Sequence, residues 1–422
     1  MDKNNGAIYD ARKLGKPKMI ILGVQHMFAM FGATILVPIL TGLDISTTLL
    51  MAGLGTLLFH CITKFKVPAF LGSSFAFLGG YAAIKAFSPN DPNSMLPYAC
   101  LGVACAGLIY FILAAVIKAV GIEKVMRFFP PVVTGPIIIA IGLGLAPSAV
   151  SNCTTNWFLA VVALAVIVVF NIWGKGMAKI IPIILGLLIS YGTGLVLYFI
   201  SQANPDLIQN VPWLFSGGAD ANGVYQPIFD FTSLNTICDN ISKGHIFGSE
   251  GLIGIPIHWD KTVFGGIDYS NGALIASSII AIVPIAFATM MEHIGDICAI
   301  SSTTGNNYIK DPGLHRTLVG DGLATTLASL FGGPANTTYG ENTGVLALTR
   351  VYDPRVIRIA AYFAVAVSFF PIVSVIIGSI PSCIIGGISF VLYGMISAIG
   401  VRNVVENKVD FTKSRNVIIA AI

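Results

Sequence analysis

The 422 residues are 55% hydrophobic and only 10% charged, with a mean hydropathy of +0.82 and a net charge of +4. That balance lies outside the range of water-soluble globular domains, so the solvent this chain is built for is a bilayer. Its basic residues are scattered over many loops without a patch, which excludes a nucleic-acid partner, and its seven cysteines sit at irregular spacings with no metal-ligand pattern.

A membrane helix needs about 20 apolar residues to cross roughly 30 Å of hydrocarbon, and the sequence offers twelve such segments in turn. The first four are 19–41, 46–63, 68–87 and 96–119. The first lacks a small-residue cleavage pattern and is expected to stay as a helix; the third opens with a proline and a small-polar run, "PAFLGSSFAF". Segments five to seven are 126–148, containing "PPVVTG", 157–173 and 179–200. A hydrophilic stretch, 201–271, follows; its aromatics, among them Trp213, Tyr225, Phe229 and Phe231, give it the character of a partly folded insertion. Segments eight to twelve are 272–303, 314–333, 336–351, 356–379 and 382–401. The apolar run Val417 to Ile422 begins a thirteenth, which is expected to be truncated, with a fourteenth missing. Cys153 and Cys238 both fall in outer loops, where they either pair or remain free thiols.

Cytoplasmic loops hold an excess of Lys and Arg. With the amino terminus placed inside, only Lys85, Lys243 and Lys261 of the 24 basic residues fall outside, so segment count and orientation support one another.

The two sides of the 201–271 stretch repeat each other. Gln25-His26 in segment one matches Glu292-His293 in segment eight; Pro68 with Gly72, Ser73, Ser74 and Phe75 matches Pro334 with Asn336, Thr337, Thr338 and Tyr339; "PPVVTG" matches "PSCIIGG" in segment twelve. Each pair is seven segments apart. Because seven is odd, the halves cross the membrane in opposite senses, and such an inverted repeat with paired Gly- and Pro-interrupted segments points to a transporter's central site. The fold class expected is therefore an all-α polytopic membrane protein, with an extended piece and then a short helix in segments three and ten.

Four acids are not explained by loops: Glu292, Asp296, Asp321 and Glu341. Each would cost about 2.5 to 3.5 kcal/mol at the centre of a bare helix, so each should face a cavity or a partner. Pairing with His293 or His26 is one outcome, and Asp321 could sit near the inner surface beside Arg316. Glu292 and Asp296 are four apart and share a helix face. "NTTYGENTG" puts Glu341 at the start of a half-helix, beside unpaired backbone N–H groups. Two opposed helix starts with carboxylates suit a small planar ligand with alternating C=O and N–H edges. Three acids competing for charge there should leave at least one holding a proton near neutral pH. Among other classes, an anion exchanger or channel would want a cationic site, whereas no Lys or Arg lies mid-membrane. An intramembrane hydrolase would need paired aspartates from different helices. No enzyme, no metal and no cofactor is expected.

"QHMFAMFGATILVP", "LGSSFAF", "DPGLHR" and above all "NTTYGENTGVLALTRVY" resemble the nucleobase/ascorbate transporter family, specifically its bacterial uracil permease branch, from about Met19 to Lys413 apart from the outer loop. The resemblance implies two inverted sevens, the chain ending in segment thirteen. It divides the chain into a cytoplasmic terminus (1–18), a core domain (19–119 and 272–379), a gate domain (120–200 and 380–422) and an extracellular or periplasmic loop (201–271). It implies proton-coupled, elevator-type uptake of a free nucleobase, most simply uracil, across the cell (inner) membrane, in a homodimer surrounded by lipid. Protons serve as the coupling ion. The base would be held by the side chains of Glu292 and Glu341 and by the backbone at Phe75 and Gly340, with Ala33, Tyr339 and Tyr393 lining the pocket; Glu292, Asp296 and Glu341 would carry the coupling. Asp296 stands where uracil permeases tend to have histidine and purine carriers often have aspartate, while Glu341 stands where purine and xanthine carriers more often have glutamine. A purine or xanthine symporter is the alternative.

Overall fold

The computed structural model describes residues 7–121, 124 and 130–421. In chain order its main elements begin with α1 (Lys16–Thr41), α2 (Ile45–Ile62), β1 (Leu71–Ser73), α3 (Leu78–Lys85) and α4 (Leu96–Val120). Next come α5 (Pro131–Cys153), α6 (Trp157–Trp173), α7 (Pro182–Ala203), β2 (Ser216–Ala219), β3 (Tyr225–Pro227) and α8 (Thr232–Ser242). The later part holds α9 (Gly272–Ile282), α10 (Ile285–Thr304), α11 (Leu314–Leu330), β4 (Asn336–Thr338), α12 (Gly340–Thr349), α13 (Pro354–Ser368), α14 (Pro371–Gly378), α15 (Ser382–Glu406) and α16 (Ser414–Ala421).

Local chemistry sets these boundaries. Pro17 sits in the first turn of α1, whose missing donor costs nothing there, and Gly42 closes the helix at φ 85°, its N–H bonded to the Pro38 carbonyl at 2.8 Å. Asp44 caps α2 by accepting from the Thr47 N–H at 2.7 Å, and Asn156 caps α6 by accepting from the Leu159 N–H at 3.1 Å. Pro284 interrupts what would otherwise be one long helix, giving α9 and α10. Pro371 opens α14, which bends from α13 by 87°.

Among the described residues seven helices are long and apolar enough to span a bilayer, or eight if the α13–α14 pair counts as one. The remaining expected segments differ for identifiable reasons: α6 and α11 have 17 residues each, and segments three and ten are half-helices preceded by strands.

The chain forms two compact units, the first being Met1–Phe129, Phe247–Ser249 and Ile253–Ser374, and the second Pro130–Ile246, Glu250–Leu252 and Val375–Ile422. Within the first unit the packing repeats under inversion. Helix α4 packs on α11 as α13 packs on α2; α9 packs on α4 as α1 packs on α13; α9 touches α3 as α1 touches α12. Each pair maps onto its counterpart by a shift of seven segments. Gly107 and Gly322 bring α4 and α11 to near contact: a Cβ on either would meet the other's carbonyl oxygen at 2.7 and 2.6 Å.

The second unit is built from α5, α6, α7 and α15, with α15 lying along α5. The sequence marks 201–271 as a single insertion, whereas the structure shares it between the units. The earlier part packs on α6 and α7: Asn156 donates to the Ser216 carbonyl at 2.8 Å, and Phe229 meets Tyr191 edge-on at 4.8 Å between ring centroids. The later part belongs to the first unit, where Thr47 donates to the Pro256 carbonyl at 2.7 Å and Gly254 N–H to the Phe369 carbonyl at 2.9 Å. Cys153 is buried and Cys238 exposed, and both are free thiols.

Candidate functional site

Segments three and ten meet through their extended pieces. β1 and β4 pair antiparallel, Leu71 with Thr338, Gly72 with Thr337 and Ser73 with Asn336. Hydrogen bonds beyond the strands lengthen the ladder: Ser74 N–H to the Ala335 carbonyl at 2.8 Å and Tyr339 N–H to the Phe70 carbonyl at 3.0 Å. A two-stranded sheet inside an apolar bundle has two open edges, and unpaired backbone is costly there. Side chains from equivalent helices cover part of both. Thr56 on α2 accepts from the Leu71 N–H at 2.9 Å and donates to the Leu71 carbonyl at 3.1 Å, while Thr325 on α11 donates to the Asn336 carbonyl at 2.7 Å. Asn336 in turn reaches the Met51 carbonyl at 3.1 Å.

This ladder fixes where α3 and α12 begin. Gly340 opens α12 and is exposed, and Glu341 in its first turn is partly exposed, so the backbone N–H groups of the helix start and a carboxylate lie together at an accessible place. Phe75, also partly exposed, lies just before α3. On α10 Glu292 is exposed and Asp296, one turn on, is partly so. Glu292 and Asp296 lie within electrostatic range of each other, and each also of Asp321 and Glu341. The first unit therefore brings together Glu292, Asp296 and Glu341, with Gly340 adjacent to the last, while Phe75 follows the opposite end of the ladder, where Ser74 bonds to Ala335.

Ala33 and Tyr339 lie beneath this surface at 2% and 5% exposure, as part of the floor. The Tyr339 hydroxyl is committed internally: it donates to the Ser73 carbonyl at 3.0 Å and accepts from Thr34 Oγ1 at 3.2 Å, while Ser73 Oγ donates to the Thr34 carbonyl at 3.1 Å. Gly72 leaves room for that ring, since a Cβ there would collide with Tyr339 Cζ at 2.5 Å. Tyr393 belongs to the second unit, buried on α15.

Sequence reasoning missed the roles of Thr338 and Asn342, and of its two outcomes for Asp321 the structure shows the pairing with His293. Thr338 donates to Asp296 Oδ2 at 2.8 Å and stands 3.5 Å from His293 Nδ1. Asp321, far from lying at a surface beside Arg316, is fully buried and 3.3 Å from His293 Nδ1, whereas Arg316 reaches the Ile62 carbonyl at 3.4 Å. Asn342 on α12 donates to His26 Nδ1 and to the His26 carbonyl on α1, each at 3.1 Å. The Gln25-His26 and Glu292-His293 pairs of the repeat were the available signal, because a histidine beside a site acid needs a polar partner once buried. Among the described residues no group of three or more His, Cys, Asp or Glu is placed to hold a metal ion.

An inverted repeat whose two broken segments meet at an acid-bearing, accessible place within an apolar bundle defines a multi-pass membrane transport protein. The profile of the permease family matches residues 17–422, and the chain belongs to that family, in keeping with the nucleobase/ascorbate transporter motifs of its sequence. It is 38% identical over 414 residues to the uracil permease of Bacillus caldolyticus, covering 96% of this chain and 83% of that one. It is 37% identical over 416 residues to the uracil permease of Bacillus subtilis (strain 168), with the same coverage of 96% and 83%. Among solved structures, the transmembrane domain of a cyanobacterium bicarbonate transporter, BicA, superposes with a TM-score of 0.65 at 13% identity, over 98% of this chain and 95% of that one. At that identity the likeness is one of fold, and the fold is the inverted seven-plus-seven repeat.

Proposed function

We propose that this permease is a proton-coupled symporter of a free nucleobase, with uracil as its substrate, working in an elevator-type cycle. The observation that supports the reading is the pairing of the two broken segments in the β1–β4 ladder, with Glu341 in the first turn of α12 and Glu292 within electrostatic range of it. A pyrimidine ring edge offers alternating C=O and N–H groups. Backbone N–H groups at Phe75 and Gly340 suit its carbonyls, and the carboxylates of Glu292 and Glu341 suit its N–H groups. The likeness to two uracil permeases supports uracil over a purine.

Coupling follows from crowding. In this reading Glu292, Asp296 and Glu341 serve one site, and three acids crowded in apolar surroundings compete for charge, which is what lets a proton accompany the substrate. Protonation from the more acidic side lets the loaded site cross, and loss of the proton on the other side releases the base. Glu292 is the carrier in this scheme, standing between Asp296 and the ligand. The remaining parts of the reading are a core domain made of segments one to four and eight to eleven, a gate domain made of the others, and a homodimer in the inner membrane with its amino terminus cytoplasmic.

The test is uptake of labelled uracil by the purified protein in lipid vesicles, with and without an imposed pH gradient. Accumulation above the outside concentration only when the outside is acidic is the expected result. Equal uptake with and without the gradient overturns the coupling, and no competition by unlabelled uracil overturns the substrate.

A further inference from the structure

The residues before α1 clasp the far end of the half-helix that carries Glu341. Helix α12 has only ten residues, shorter than the ~12 to 15 that make an isolated helix even marginally stable. Its start is fixed by β4. Its end is turned by Arg350, which sits in the left-handed region at φ 55°. There the preceding segment closes on it: Ile8 N–H donates to the Arg350 carbonyl at 2.8 Å, and Tyr352 N–H donates to the Ile8 carbonyl at 2.8 Å, as a parallel bridge between Ile8 and Val351.

Three further contacts tie the same segment to neighbouring elements. The Tyr9 hydroxyl donates to the Thr304 carbonyl at the end of α10 at 2.7 Å. Ala11 N–H donates to Oδ2 of Asp353, the residue that caps α13, at 2.7 Å. Asp10 is paired with Arg12 at 2.8 Å and with Arg355 at 2.9 Å. Beneath them Ala11, Val351 and Val356 form a small apolar cluster with Ile8, Leu14, Met19 and Leu22. Helix α3, the counterpart half-helix, is held at its corresponding end by a different device, Lys85 Nζ donating to the Thr41 carbonyl at 2.9 Å.

We propose that residues 8–14 are a latch that positions Glu341 by fixing the end of α12 opposite to it. The latch joins the ends of α10 and α12, the two elements carrying Glu292 and Glu341, so the spacing of the two carboxylates is set at a place neither ligand nor carboxylate touches. Ile8 and Tyr9 are positioning residues. Their effect on substrate rests on the reading that Glu341 contacts the base.

The experiment compares hydrogen–deuterium exchange of the full chain in lipid nanodiscs for the unmodified protein, Ile8→Pro, which deletes the donor to Arg350, and Tyr9→Phe, which deletes only the bond to Thr304. Exchange at residues 345–352 is expected to rise roughly fivefold in Ile8→Pro, the effect of losing one hydrogen bond, with residues 78–85 unchanged. In vesicles the half-saturating uracil concentration should rise by a similar factor while the maximal rate per folded carrier stays within about twofold, because positioning alters recognition and a folding defect removes carriers. Unchanged exchange at 345–352 overturns the latch. Accelerated exchange with a lowered maximal rate and unchanged half-saturation overturns the positioning role. Should Ile8→Pro not fold, Tyr9→Phe is read by the same criteria, with exchange at 300–304 added. If the unmodified protein takes up no uracil, the substrate reading fails while the exchange data still decide the latch.

Discussion

Glu292 and Glu341 are both acids in apolar company, and under the proposed function their surroundings suit them to different work. Glu341 is held at a helix start, where backbone donors favour an anionic group, and Glu292 stands mid-helix one turn from a second carboxylate. Glu341→Gln should therefore weaken recognition, raising the half-saturating uracil concentration about tenfold or redirecting preference toward purines. Glu292→Gln should leave exchange of labelled for unlabelled base but abolish accumulation driven by an imposed pH difference. A Glu292→Gln protein that still concentrates uracil sinks the coupling scheme. Outside the membrane segments, Asp10 behaves in the opposite manner to a switch. Its hydrogen bonds with Arg12 hold its carboxyl down, to about 2 against an ordinary 3.8. A depressed carboxylate contributes stability above its unfolded value and loses it as pH falls through the folded one, so the window lies between about 4 and 2. The clasp should stay closed across the working range: exchange at 345–352, corrected for intrinsic rate, is expected to be the same at about pH 5.5 and 7.5, and a difference would show another group in control. The sequence made Glu292, Asp296 and Glu341 visible because acids in apolar segments are conspicuous. It could not aim Asp321, because α11 mixes small, polar and apolar residues on every face and its periodicity points nowhere.

At the scale of elements, the half-helices of segments three and ten were legible from their proline and small-polar openings, since such residues resist a continuous helix. Their pairing was not. Strands of three residues carry no readable alternation, and what joins them is backbone. The ring of Tyr339, packed over Gly72, ties one strand to the other, which gives a sharp test. Gly72→Ala puts a methyl group against that ring and should cost about 1 to 3 kcal/mol, the usual range for overpacking. Thermal unfolding in detergent measures it; an unchanged midpoint would mean that the ring moves freely and does not organise the site floor. The latch of residues 8–14 was likewise invisible in sequence, because only Tyr9 and the charges stand out and neither names a partner.

At the scale of the whole chain, the inverted repeat was readable from three short matches and the alternation of basic loops, and the exchange of packing partners within the first unit has the same order. Segment eight, expected at 272–303, is matched by the span Gly272–Thr304 despite the break at Pro284, whereas segment eleven is bent by 87° before α14. The Gly107–Gly322 crossing is central to that symmetry, because it lets α4 and α11 approach as closely as backbone allows. Gly107→Val should push these helices apart and lower the unfolding midpoint of the first unit, with a loss of about 2 kcal/mol or more, while leaving a Gly322→Ala change less harmful in its presence than alone. Strict additivity of the two changes in a double-mutant cycle would show that the pair does not share one contact.

The β1–β4 ladder also imposes an order on biosynthesis. Ser73 and Tyr339, joined by a hydrogen bond, are 266 positions apart along the chain. While the ribosome is still making the second half, the first half therefore waits with the β4-facing edge of β1 unpaired in an interior that offers no water, Thr56 covering only Leu71. Nascent protein of this kind must keep that strand in contact with the insertion machinery, or with a provisional partner, until Asn336 to Thr338 arrive. The element that completes the candidate site is thus also the one that pairs the remaining backbone of β1 in lipid.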